Sequence, residues 1–120
     1  MRIELTPDEF DALTIATAEQ RRCEREARRV YAGLERDPAL IRQHERGFTY
    51  VPEEVWQSHP AYIAEGKADR ALYVLVRSLM RPLVSRDGWA DLANNCDVDV
   101  RMARWLLRNA KPVTSAVTAG

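Results

Sequence analysis

Arg101, Arg104 and Arg108 are separated by three and four residues, a spacing that places three guanidinium groups on one face of a helix. A guanidinium is shaped for two chemistries: bidentate contact with a phosphate, and the paired acceptors on the major-groove edge of a guanine. Val100 and Trp105 lie in the same stretch, with Arg86 before it and Lys111 after it. The chain is neutral, with 18 Lys and Arg against 18 Asp and Glu, but its charge is unevenly spread. Residues 67 to 111 hold nine basic side chains and five acidic ones, whereas residues 1 to 66 hold nine and thirteen. The halves therefore net +4 and −4, an asymmetry that directs the basic half toward an anionic partner. The competing reading is an ordinary helical hairpin with a solvated arginine face.

No enzymatic constellation accompanies this face. His44 and His59 are the only histidines, and neither stands at a spacing that zinc ligation uses. Cys23 and Cys96 fall at apolar seam positions, where a thiol serves as a small core residue in a reducing compartment. The five glycines are scattered, which leaves no phosphate-cradling loop. Asp8-Glu9 and Glu53-Glu54 stand at helix starts, where carboxylates favour the helix dipole. A non-enzymatic protein with no metal and no cofactor is expected. With no run of 18 apolar residues and no signal-peptide core at the N-terminus, the expected location is cytoplasmic, without a membrane partner.

The positioning elements can be read in outline. Thr6-Pro7-Asp8-Glu9 is a capping box with proline at the first helical position. It opens a helix expected over about residues 7–35. Leu13, Ala16, Gln20, Cys23, Ala27, Val30 and Leu34 form a narrow heptad seam along it, fit for a partner helix in the same chain, in a second copy, or in another protein. Asp37-Pro38 is expected to restart a short helix that Gly47 ends. Residues 48–51 are expected to be extended ahead of Pro52, and residues 52–58 to form a turn or two of helix. His59-Pro60 should break that helix and 61–66 should connect it to the next. Phe48, Tyr50, Trp56 and Tyr62 are read as core and lid. Residues 68–84 carry the most apolar helix, with Ala68, Leu72, Leu75 and Leu79 in its stripe, ended or kinked by Pro82.

Residues 87 to 108 resemble the helix-turn-helix of bacterial and phage DNA-binding regulators. Asp87 stands at the first cap, small Ala93 at the helix crossing, and Leu92, Cys96, Val98, Ala103 and Leu106 at the five buried positions. Asp99 stands at the second cap. Asp97 occupies a turn position that is usually glycine. The resemblance implies that the helix over 99–110 enters the major groove, with Val100, Arg101, Arg104, Trp105, Arg108, Arg86 and Lys111 as its contact set. Arg101 and Arg104 would meet bases, and Arg77, Arg81, Arg86 and Lys111 phosphates. Trp105 either lies against the core or stacks on a sugar, and the core placement is the expected one.

The expected fold is thus all-α: a long N-terminal helix plus short helices, and a C-terminal three-helix helix-turn-helix unit. The expected division is a helical region over 1–66, a helix-turn-helix-like domain over 67–112, and a flexible tail over 113–120. The expected function is transcription regulation through double-stranded DNA, by a homodimer paired along the 13–34 seam. The alternative is a helical adaptor that binds a host protein through the long helix. Sixteen of the eighteen basic residues are arginine, a bias that fits a GC-rich bacterial or phage genome.

Overall fold

The computed structural model describes residues 4–81 and 100–112. In chain order these form β1 (Glu4–Leu5), α1 (Pro7–Glu35), β2 (Arg42–Gln43), β3 (Thr49–Tyr50), α2 (Glu53–Gln57), α3 (Pro60–Met80), α4 (Val100–Asn109) and β4 (Lys111–Pro112). The fold is mainly helical, yet two short ladders qualify the purely α expectation: β1 pairs with β4 in parallel, and β2 with β3 antiparallel.

The first helix starts where its cap dictates. The Thr6 backbone N–H donates to Glu9 Oε1 at 2.8 Å, and the Glu9 N–H donates to Thr6 Oγ1 at 3.1 Å. These reciprocal bonds satisfy two of the donors that a helix N-terminus leaves open. With Pro7 at the first position the helix runs 29 residues.

Beyond it the expected short helix is absent. Asp37 Oδ1 accepts the Ala39 N–H at 2.9 Å, and a single turn closes with the Ile41 N–H on Asp37 O at 3.2 Å. The chain then forms a hairpin with Arg42 opposite Tyr50 and Gln43 opposite Thr49. Phe48, Thr49 and Tyr50 favour a pleated backbone, and Gly47 turns the hairpin at φ 95°, a conformation that glycine adopts without strain. Gly47 therefore reverses strands and ends no helix.

The second correction concerns residues 59 to 66. His59 Nδ1 accepts the Ala61 N–H at 3.0 Å, so His59 caps a helix and Pro60 occupies its first position, where proline is preorganised. The stretch read as a connection is the first part of α3. Gly66 sits exposed within it at a cost of about 1 kcal/mol relative to alanine. The domain boundary expected between 66 and 67 falls inside this helix. α3 ends at Met80, with Arg81 as its cap, still in helical backbone conformation and with its N–H donating to Arg77 O.

α1 and α3 pack antiparallel along most of their length. Their register is marked by Gln20, only 3 % exposed, whose Nε2 donates to Asp69 Oδ1 at 2.9 Å and to Glu24 Oε2 at 3.0 Å. The main core lies at one end, where Leu13 meets Leu72, Val76, Leu79 and Met80 of α3 and Ala103 and Leu106 of α4. Leu13, Leu72, Val76 and Leu106 are fully buried. The β1–β4 ladder, with Glu4 opposite Lys111 and Leu5 opposite Pro112, closes this end. The molecule measures 67 × 31 × 20 Å with a radius of gyration of 19.1 Å, against about 12–14 Å for a compact chain of this size.

Candidate nucleic-acid interface

α4 is divided sharply between a buried and an exposed side. Ala103, Leu106 and the following Ala110 are buried against α1 and α3, with Val100, Met102 and Leu107 half-buried beside them. Arg101, Arg104, Trp105 and Arg108 all face solvent. Their positions i, i+3, i+4 and i+7 make one continuous stripe. Trp105 is 40 % exposed, which corrects its assignment to the core. It lies about 100° around the helix from Leu106 and about 200° from Ala103, on the outward edge, so its size does not draw it inward. Its carbonyl accepts the Asn109 Nδ2 at 2.8 Å, which binds the last turn to the one before it.

The electrostatics of this stripe differ from those of α1. Among the described residues no carboxylate pairs with Arg101, Arg104 or Arg108, nor with the exposed Arg77 and Arg81 at the C-terminal end of α3. On α1, Arg22 pairs with Glu19 at 2.6 Å, Arg28 with Glu24 at 2.8 Å, and Arg29 with Glu26. The guanidinium bonds from Arg22 and Arg29 hold the Glu19 and Glu26 carboxyls below the usual carboxylate range.

Arg86 and the first helix and turn of the resemblance, including Asp87, Leu92, Ala93, Cys96, Asp97, Val98 and Asp99, lie outside the described residues. Lys111 belongs to β4, opposite Glu4. Ala103 and Leu106, two of the five positions expected to be buried, are fully buried.

No protein-family model, curated protein or solved structure matches this chain.

The heptad seam has a covering of its own. Leu13, Gln20, Cys23 and Ala27 are buried, together with Thr17, and Ala16, Val30 and Leu34 are half-buried. α3 of the same chain occupies that side. Thr17 enters the seam because its hydroxyl donates to Leu13 O at 2.7 Å, which satisfies it inside its own helix. Burial, and then the hydrogen bond to Glu19, pushes the Cys23 thiol up, as for an inert core thiol.

Among the described residues no group of three or more His, Cys, Asp or Glu is placed to hold a metal ion. No described helix is long and apolar enough to cross a membrane. Of the aromatics read as core and lid, Phe48 is 53 % exposed and stacks on His44 with centroids 4.3 Å apart. Tyr50 and Tyr62 are exposed too, and Trp56 is half-buried against Tyr31.

Proposed function

We propose that the chain is a small helix-turn-helix DNA-binding protein, a transcriptional regulator of bacterial or phage type, that reads the major groove with α4. The observation that carries the reading is the stripe Arg101, Arg104, Trp105 and Arg108: exposed, free of carboxylate partners among the described residues, and fixed by a fully buried opposite side. A rigidly seated helix with unneutralised guanidinium groups is what base-edge contact requires. Arg101 and Arg104, nearest the helix start with Val100 beside them, take the base edges. Arg108, with Arg77, Arg81, Arg86 and Lys111, takes phosphates, which fix the register of the protein on the duplex. The exposed indole of Trp105 packs on a sugar at the groove wall. One such helix covers few base pairs, so two copies on half-sites about one helical turn apart complete the site. Since α3 covers the α1 seam, the copies meet through another surface.

The deciding experiment is selection from a random-sequence duplex pool at moderate salt, followed by sequencing. Enrichment of a discrete motif that is lost in the Arg101→Ala/Arg104→Ala variant supports the reading and gives the half-site spacing. No enrichment by folded protein overturns it and leaves the adaptor reading, in which the outer face of α1 meets a protein.

A further inference from the structure

The end of the molecule remote from α4 holds an open cleft of about 450 Å³ between the last turns of α1, α2 and the start of α3. It is lined by buried Ala27 and exposed Ala32, by the aromatic Tyr31 and Trp56, and by the charged Arg28, Glu35 and Glu65. The rings stand edge to face: Tyr31 and Trp56 have centroids 5.1 Å apart at 74°, and Trp56 and Tyr62 5.7 Å apart at 66°. An arrangement of this kind presents π faces as well as edges. Trp56 keeps part of its surface open although Tyr31, His59 and Tyr62 all neighbour it.

The charge around the cleft is unbalanced. Arg28 is engaged by Glu24 at 2.8 Å, and neither Glu35 nor Glu65 has an ion-pair partner among the described residues. Behind Glu65 stand Glu24 and Asp69, both held as acceptors by the Gln20 amide. Partial burial, and then the charges of Asp69 and Glu24, push the Glu65 carboxyl up, and the Arg28 guanidinium offsets them only in part. A cation placed here would relieve that repulsion.

From this geometry we infer that the cleft binds an alkylammonium head group, with the rings of Tyr31 and Trp56 against its methyl or methylene shell and Glu35 and Glu65 as counter-ions. A soft, weakly hydrated cation gains from aromatic faces and carboxylates together. A bare metal ion would need a cluster of oxygen ligands, which the described residues do not assemble. The cleft shares no residue with the α4 stripe, so the inference stands independently of the DNA-binding reading.

The test is a titration of the full chain followed by the indole N–H resonance of Trp56, assigned through Trp56→Phe. Choline and a glycine-flanked trimethyl-lysine peptide are the two probes. Saturable shifts at millimolar concentration with either one, and none with the neutral isostere 3,3-dimethyl-1-butanol, support the site. The tighter of the two probes tells a free cation from one carried on a protein. Glu35→Gln/Glu65→Gln should weaken binding about ten-fold, as expected for removing two near counter-charges. An equal response to the neutral isostere, or no saturable shift with either cation, overturns the proposal whatever the DNA selection yields.

Discussion

Arg22 and Arg104 are both exposed arginines on helical faces, and their surroundings differ. Arg22 bonds Glu19 one turn away, as Arg29 bonds Glu26 and Arg28 bonds Glu24, so each of these three guanidinium groups is answered by a carboxylate of α1 itself. Arg104 shares its face with Arg101 and Arg108, and among the described residues no acid pairs with it. The field of the first group is cancelled within a few ångströms, whereas that of the second reaches outward and can steer an anion. A count of charges by halves of the chain sees +4 and −4. The partner of each guanidinium decides which charges are available.

The strongest way to break this contrast is to unseat α4. Leu106→Ala should lower unfolding stability by about 2–5 kcal/mol, read from the midpoint of urea denaturation. A loss below about 1 kcal/mol would mean that the buried side of α4 is not an anchor, and the basic face would lose its rigidity argument. Next in size is binding itself. Arg104→Ala should cost about 1–3 kcal/mol of affinity for the selected DNA site, measured by fluorescence anisotropy, and Arg22→Ala should cost nothing. Equal losses from the two substitutions would show that net charge, and not the α4 stripe, holds the DNA.

Salt sharpens the contrast further. Phosphate contacts by Arg77, Arg81 and Arg108 should give a slope of log affinity against log salt of about −2.7 or steeper. Arg108→Ala should reduce its magnitude by about 0.9, while Arg29→Ala leaves it unchanged.

The smallest effects concern pH, and their signs differ. Glu19 and Glu26 have lowered folded-state values, caused first by the bonds from Arg22 and Arg29. Their stabilisation is present above the ordinary carboxylate value and fades as pH falls through the lower folded values. Glu65 is raised, by burial first, so the folded state gains stability as pH falls and loses it as pH rises through the raised value. Glu65→Gln should therefore raise the melting temperature slightly at pH 7, and that gain should vanish toward pH 4. A gain that persists in acid would remove the repulsion assigned to Glu65.

How far the sequence reaches depends on whether the deciding interaction is local. The capping box at Thr6 and the 29 residues of α1 were legible because cap and helix lie within one stretch of chain. So was the arginine stripe, which follows from spacing alone. Residues 60–66 were misread because proline was weighed as a breaker, whereas after a capping residue such as His59 it opens a helix. The hairpin escaped because strands of two residues are too short for any period-two pattern. Residue type favours the inward of the two placements open to Trp105, and its angle from Leu106 sets it outward. The cleft could not be foreseen at all. Tyr31, Trp56 and Glu65 belong to three different helices, and only the packing of α1 and α2 on α3 brings them together.

The short parallel ladder between Glu4–Leu5 and Lys111–Pro112 bears on the order in which the molecule assembles. It joins segments more than a hundred residues apart in the chain, and closing so long a loop carries an entropic cost that must be met before the contact rewards it. The α1–α3 pairing needs a shorter closure and can precede it. The arginine face is thus completed last, after nearly all of the chain has been synthesised, and a chain severed between α3 and α4 would leave Leu13, Leu72 and Val76 without the Ala103 and Leu106 that cover them.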